Sequence, residues 1–363
     1  MKSLLHKLFP PPQFLARPAI GLDISDRSVK FIQLKQRGNN LIPGVLGSRA
    51  IPAGIIESGR IVNSNQLKKI LADLSQELGN PYVWASLPEE QAFVFQLELP
   101  NMSERELRES IELQLEEHVP LKVSEVVFDF QILSRPQDNN NRYLVNVSVL
   151  PAEMINNYLQ LIKESSWQIL GFEIEAQALA RAFVPFGDPG VLMLVDIGRT
   201  RTSFAIIENG VVVFTSTVAT MGGQNLTASV KKTLGVETTK AEELKRAGGL
   251  SRASNNKEVF YALIPAVSSL RDEISQLLDF WQTHYSRPSI DQIILAGGQS
   301  SLPGLVEYLA SNTGVETVLG NPWTNVLDFN DFVPELDYNH ALRYGTTIGL
   351  ALRSGHLPLK LDF

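Results

Sequence analysis

Two stretches of the chain share one hydrophobic rhythm. Residues 19–24, Ala-Ile-Gly-Leu-Asp-Ile, form a short apolar run, a polar turn follows, and Val29-Lys-Phe-Ile-Gln-Leu34 then alternates. A brief apolar run bounded by turn residues predicts a buried strand, and alternation predicts a half-buried one. Gly38-Asn39-Asn40 turns the chain again, and a third strand is expected over 41–50. The pattern returns in Val191-Leu-Met-Leu-Val-Asp196-Ile-Gly-Arg-Thr-Arg-Thr202-Ser-Phe-Ala-Ile-Ile207, with a third strand over 210–216. Aligning Asp23 with Asp196, 173 residues on, places Ser25 on Gly198 and the strand at 29–34 on that at 202–207. Two copies predict a duplicated, two-lobed molecule; a solenoid needs at least three.

Other segments carry the helical period. Leu67, Ile70, Leu71, Leu74 and Leu78 fall at i, i+3, i+4, i+7 and i+11, which predicts a helix over 65–78. A strand at 82–86 is stopped by Leu87-Pro88. From about 90 to 168 the rhythm changes. Phe93 to Leu99 alternates as a strand, and Ser103 with Glu106 forms a capping box opening a helix that runs to about His118, before Pro120. Strands are expected over 126–133 and 142–150 around the loop Gln137-Asp-Asn-Asn-Asn141, and a helix over 152–166. Residues 225–285 are mostly helical, in segments 225–234, 239–247 and 257–285. A buried strand over 290–295 ends in Ala296-Gly297-Gly298; a helix with Pro303 near its start, a strand at 315–319 and a helix at 341–352 follow. This predicts an N-terminal segment (1–17), a first lobe (18–89 and 169–188), an inserted α+β subdomain (90–168), a second lobe (189–224 and 287–355) and a helical subdomain (225–286).

Composition narrows the class. The chain has 363 residues, 44% apolar and 20% charged, which is the balance of a folded globular protein. Asp+Glu exceeds Lys+Arg by 39 to 32, opposite to the footprint of a nucleic-acid binder. There is no cysteine, which excludes disulfides, thiolate zinc sites and a cysteine nucleophile. No uncharged apolar stretch reaches the ~20 residues that span a bilayer. The apolar start, Leu4, Leu5, Leu8 and Phe9, runs into Pro10-Pro-Pro12, too short for a signal peptide, so a cytoplasmic location is expected. That start reads as a docking or frayed segment, and a short membrane-touching helix is the weaker alternative.

The candidate chemistry lies in the repeated turns. Each carries Asp at the end of its first strand and Ser, Thr or Gly in the turn, which offers amides and hydroxyls to phosphate oxygens. An aspartate cannot bind phosphate itself. Its task would be to hold Mg2+, directly or through water, since Mg2+ takes one or two carboxylates plus phosphates. One such turn is an ordinary hairpin; two at matching positions suit a phosphate chain clamped between lobes. Gly297-Gly298 after a buried strand could admit a nucleotide close to the backbone, or simply make a tight turn. Glu242 and Lys245 share one helical face, either to bracket a ribose or as a solvated ion pair.

Together these pieces resemble the actin-like ATPase superfamily. Gly21-Leu-Asp-Ile-Ser-Asp-Arg-Ser-Val-Lys30 is similar to its phosphate-1 loop, Asp196-Ile-Gly-Arg-Thr-Arg-Thr202 to phosphate-2, and Leu295-Ala-Gly-Gly-Gln-Ser300 to the adenosine motif. Glu175-Ala-Gln-Ala178 resembles the first connecting segment, and Ala241 to Lys245 the ribose-contacting helix. Within the superfamily the chain resembles the PilM family of type IV pilus assembly proteins, relatives of the cell-division protein FtsA. The match rests on Leu87-Pro-Glu, Leu99-Pro-Asn-Met, Glu116-Glu-His-Val-Pro-Leu121, Glu125-Val-Val-Phe-Asp-Phe-Gln131, Gly222-Gly-Gln-Asn-Leu-Thr227, Leu302-Pro-Gly-Leu305 and Asn321-Pro-Trp323, and runs from about residue 1 to 355.

The resemblance implies a two-lobed α/β actin-like fold with an insert of the FtsA subdomain 1C type. It implies ATP or ADP with Mg2+ at Asp23, Ser25, Ser28, Lys30, Asp196, Gly198, Thr200, Thr202, Gly222, Gly223, Glu242, Lys245, Gly297 and Gly298, with Asp23 and Asp196 toward the metal. Asp196 and Glu175 are candidates to orient a water. The implied partner is the N-terminal cytoplasmic peptide of PilN, held in a groove beside the insert, with other platform and motor proteins beyond it. The implied place is the cytoplasmic face of the inner membrane, reached through partners. Ser25 stands where the family usually has Gly, and Asp26 where it has a small polar residue, so a weak phosphate grip and slow or no hydrolysis are expected; Arg199 and Arg201 could compensate. A small-molecule kinase of the same fold would need a catalytic base with a substrate pocket, which the sequence does not offer. A self-polymerising FtsA-like element would carry a C-terminal amphipathic helix, whereas the end here, Gly355 to Phe363, contains Pro358 and lacks the length. The cytoplasmic part of a type II secretion L protein would continue into a membrane span.

Overall fold

The computed structural model describes residues 19–37, 40–137, 141–251, 257–285 and 289–354. The apolar start, the Gly38-Asn39 turn and the tail from Gly355 lie outside the described residues. Contacts divide the chain into two units: one runs to Leu179 and adds Val326–Pro334 and the segment from Thr346, and the other comprises Ala180–Asn325 and Glu335–Gly345.

In the first unit β1 (Ile20–Ser25), β2 (Ser28–Arg37) and β3 (Asn40–Ala50) form an antiparallel meander. The short hairpin β4 (Ile56–Glu57) and β5 (Arg60–Ile61) leads to α1 (Ser64–Leu78). Asn63 caps this helix by accepting from the Gln66 amide at 3.1 Å, and Gly79, at φ 64°, ends it. Strand β6 (Tyr82–Leu87) then lies parallel to β1.

The insert follows: β7 (Phe93–Pro100), α2 (Glu104–His118), β8 (Val126–Ser134) and β9 (Arg142–Pro151). The Ser103–Glu106 capping box forms as the spacing predicts. Its sheet has the order β7-β9-β8, and Leu107, Ile111 and Leu115 of α2 bury one face with Leu97, Leu99, Val145, Val147 and Val149. Fully burying each of these side chains is worth about 1.5–3 kcal/mol, enough for the insert to have its own core.

The chain returns through α3 (Ala152–Glu164), β10 (Gln168–Ile174), parallel to β6, and α4 (Glu175–Phe183). Here the expected insert boundary is corrected. Met154, Tyr158, Leu161 and Ile162 of α3 pack in one cluster with Ile20, Leu22, Leu71 and Val83, so 152–168 belongs to the core of the main body. Helical period shows that a face is buried but not what buries it.

The second unit holds β11 (Val191–Ile197), β12 (Thr202–Glu208), β13 (Val211–Val218), α5 (Gly223–Leu234), α6 (Thr238–Gly248) and α7 (Lys257–Tyr285). It continues with β14 (Gln292–Ala296), α8 (Leu305–Thr313), β15 (Glu316–Leu319) and α9 (Tyr338–Ala341). The two large sheets read β3-β2-β1-β6-β10 and β13-β12-β11-β14-β15, the same order with three antiparallel strands and then two parallel ones. Asp23 pairs with Lys30 and Asp196 with Ser203, so the duplication holds to the register. The last helix, α10 (Gly345–Leu352), departs from the expected boundaries: from Thr346 on it belongs to the first unit. A side chain at Gly21 would run into the Thr347 carbonyl, and one at Gly349 into the Ala178 backbone, so two glycines permit this close packing.

Candidate functional site

The first turn closes β1 onto β2, with Ser25 opposite Ser28 and Asp26-Arg27 at the tip. The Ser25 hydroxyl donates to the Ser28 carbonyl at 3.0 Å and lies 3.3 Å from the Ser28 hydroxyl. Asp23 is buried at 4% exposure. Its Oδ2 accepts from Lys30 Nζ at 2.7 Å and its Oδ1 from the Ser86 hydroxyl at 3.0 Å. A carboxylate so neutralised orients Lys30 and has less to offer a cation. Asp26 was expected to face an approaching phosphate. Its carboxylate is instead bonded by the backbone N–H groups of Ser58 (3.2 Å) and Gly59 (3.1 Å).

The second turn matches it. Gly198 N–H donates to the Arg201 carbonyl at 2.9 Å, with Arg199-Thr200 at the tip. The Thr202 hydroxyl is fully buried and donates to the Met221 carbonyl, so this predicted site residue holds the turn. The start of α5 is stitched to the same turn: Gly223 N–H donates to the Gly198 carbonyl (3.0 Å) and Gln224 N–H to that of Arg199 (2.9 Å). Gly222 N–H donates to Asn225 Oδ1 at 3.2 Å. The first amides of the helix are therefore spent inside the protein. A Cβ at Gly222 would meet the Thr200 and Arg201 backbone within 2.5–2.7 Å, which explains the glycine.

Asp196 ends β11 beside the end of the parallel strand β14. C-terminal ends of parallel strands are where open α/β sheets bind ligands. Gly297, at φ 86°, follows β14, and a Cβ there would strike Asp196 Oδ1 and the Ile197 carbonyl. The glycine lets the chain pass the carboxylate. Gly298 has a different reason, because a Cβ there would lie 2.8 Å from Arg343 Cγ.

Lys245 on α6 is 1% exposed. Its Nζ reaches Gln299 Oε1 (2.7 Å), Glu242 Oε2 (2.8 Å), the Thr227 hydroxyl (3.0 Å) and the Gly223 carbonyl (3.3 Å). Burial pushes the Lys245 pKa down, while four oxygens around one nitrogen favour the ammonium form. Burial also raises the Glu242 pKa, but hydrogen bonds from Lys245, Thr227 and Arg246 outweigh it and bring it to about 2. Sequence reading missed Thr227, Gln299, Arg343 and Ser86 as participants. Thr227 and Gln299 stand inside the motifs already singled out; Ser86 and Arg343 carry no local signal.

The structure thus gathers Asp23, Ser25, Ser28 and Lys30 on one hairpin of the first unit. In the second unit Asp196, Gly198, Thr200, Gly222, Gly223 and Gly297 share a patch that Gly223 and Gln299 connect to Lys245 and Glu242. Glu175 opens α4, buried at 5% exposure. Among the described residues no group of three or more His, Cys, Asp or Glu could hold a metal ion by itself. A nucleotide-bound Mg2+ asks for only one or two carboxylates, and Asp196, beside Gly297, is a carboxylate of the second turn. Among the described residues no helix is long and apolar enough to cross a membrane.

Among solved structures, the chain is similar to the PilM–PilN type IV pilus biogenesis complex, with a TM-score of 0.77 and 22% identity over 93% of this chain and 99% of that one. It is similar to the ethanolamine utilization protein EutJ from Carboxydothermus hydrogenoformans (TM-score 0.55, 16% identity, 94% and 90% covered). ADP-bound MreB5 of Spiroplasma citri matches with a TM-score of 0.54 and 16% identity over 85% and 93%. These likenesses establish the actin-like fold. A family model described as type IV pilus assembly protein PilM matches residues 21–355. With the paired turns and the insert in place over that whole span, this chain belongs to the PilM family of type IV pilus assembly proteins.

Proposed function

We propose that this protein binds an adenine nucleotide with Mg2+ and, at the cytoplasmic face of the inner membrane, holds the N-terminal peptide of a PilN-type partner, linking it to the other platform and motor proteins of the pilus. The observation that carries the nucleotide reading is the pair of matching turns, each with an aspartate at its base and hydroxyls or amides at its rim. Ser28 and Thr200 would offer hydroxyls to phosphate oxygens, with Lys30 as their counter-charge, while Ser25 and Gly198 hold the two turns in shape. Asp196 would hold Mg2+ or its waters, and Asp23 would position Lys30. When bound, Mg2+ neutralises phosphate charge. Gly297 and Gly298 would border the adenosine, and Glu242, held by the buried Lys245, the ribose. The solved MreB proteins of this fold that carry ADP or AMPPNP support nucleotide binding by this chain. The PilM–PilN complex supports the partner. Membrane contact would run through partners.

Calorimetry with MgATP tests this. Wild type should bind, and Asp196→Ala should lose at least tenfold in affinity. Equal binding by both would remove Asp196 from the site, and no binding by wild type would remove the nucleotide.

A further inference from the structure

Asp26 leads to a part of the molecule that nucleotide binding does not by itself require. The two-residue turn Ser58-Gly59 joins β4 to β5, and Glu57 pairs with Arg60 across it. Both residues are left-handed, at φ 48° and 73°. That combination suits a tight hairpin turn. A Cβ at Gly59 would overlap the ring of Pro88, so the turn is seated against the start of the 88–91 segment.

Three side chains grip the turn from two directions. On one side the Asp26 carboxylate takes both amides, Ser58 N–H on Oδ2 at 3.2 Å and Gly59 N–H on Oδ1 at 3.1 Å. On the other side the Tyr158 hydroxyl, 1% exposed, donates to the Gly59 carbonyl at 2.9 Å. Gln91 Nε2 donates to the Ser58 carbonyl at 3.4 Å. Gln91 and Pro88 lie where the chain enters the insert, two and five residues before β7. Tyr158 lies on α3, which begins directly where β9 leaves it. Both chain connections of the insert are thus tied to one small turn, and that turn is tied to the tip of the Ser25–Ser28 turn.

We propose that the Ser58–Gly59 turn is the coupling element between the Ser25–Ser28 turn and the inserted subdomain, so that occupancy of the first alters the second. This rests on the reading that nucleotide phosphates approach the Ser25–Ser28 turn. A phosphate arriving there repels the Asp26 carboxylate. Because both oxygens of that carboxylate are engaged by consecutive amides, the hairpin moves with it, and the carbonyls on its far side carry the shift to Tyr158 and Gln91. Coupling of this kind requires an element with two arrangements, which is what the test examines.

The test is hydrogen–deuterium exchange on the full chain, with and without MgATP, beside calorimetry on the same samples. In wild type, MgATP should change exchange at Ser58 and Gly59, and across 91–100 and 152–158, by about fivefold or more, the lower end of ordinary coupling. Asp26→Ala should bind MgATP at least as tightly as wild type, because the repulsion is gone, yet confine the change to 20–30. Tyr158→Phe should keep the change at Ser58 and Gly59 and lose it over 152–158. If the Asp26→Ala chain does not fold, Asp26→Asn, which keeps one acceptor oxygen, should give a reduced response. A wild-type response confined to 20–30 while calorimetry registers binding overturns the coupling alone, as does an undiminished response in the Asp26 variant. Absence of MgATP binding by wild type overturns the nucleotide reading and the coupling with it.

Discussion

Lys245 sits among four oxygens with almost no exposure, and its carboxylate partner is about one-third exposed. Glu242 therefore governs how the cluster responds to acid. Its pKa in the folded protein is about 2, below the ordinary carboxylate value, so its contribution is complete above about pH 5 and lost as pH falls toward 2. Glu242→Gln should cost about 2 kcal/mol at pH 7, after discounting for the solvent-facing side, and much less at pH 3; urea melts at the two pH values check this. A constant difference would mean that the carboxylate's charge contributes nothing. Gly297 gives a second expectation. It combines a left-handed φ of 86° with backbone and Asp196 atoms where a Cβ would go, whereas Gly79, at 64°, opens onto empty space. Gly297→Ala should cost about 3 kcal/mol and Gly79→Ala about 1 kcal/mol, read from denaturant midpoints.

Among elements, the insert is the one whose removal tests where the partner peptide binds. Phe93 pairs with Val149, so the strands by which the chain enters and leaves lie side by side. Its core of Leu107, Ile111, Leu115 and the inward β9 valines is separate from the cluster that holds α3. Replacing 93–151 by a short linker should leave a folded chain that binds MgATP and no longer captures a synthetic N-terminal peptide of a PilN-type protein. Removing 90–168 should instead abolish folding, because Tyr158, Leu161 and Ile162 go with it; losing several buried side chains of that size exceeds the usual 5–15 kcal/mol of total stability. Circular dichroism and peptide calorimetry distinguish the two deletions. Capture of the peptide by the shorter deletion would place the groove elsewhere.

For the molecule as a whole, the open matter is turnover. We expect ATP to be bound and hydrolysed far more slowly than the ~10 per second of a median enzyme. One of the two turn aspartates, Asp23, is committed to Lys30 and Ser86 and so contributes little to orienting a water. Asp26, although bonded by two amides, still repels an arriving phosphate, and the commitment of Asp23 adds to the expectation of slow turnover. Phosphate release measured with the partner peptide present decides it. Turnover near ten per second that Asp196→Ala abolishes would make this a working ATPase.

How much of this was legible before folding depended on range. The strand and helix periods, the Ser103–Glu106 box and the duplicated turn were readable because each is written within about a dozen neighbouring residues, and because strand period 2 and helix period 3.6 impose different hydrophobic spacing. The register relating Asp23 to Asp196 was readable because the copy kept its spacing. The roles of individual side chains were not. Asp26 meets residues 58 and 59, Lys245 meets Gln299, and Ser86 meets Asp23, each across a stretch of chain that leaves no pattern in the sequence. Two matters of membership also waited for the fold: that α3 belongs to the main core and that α10 packs on β1 and α4. An amphipathic helix announces that it has an apolar face, but which surface covers that face is chosen by packing among distant segments.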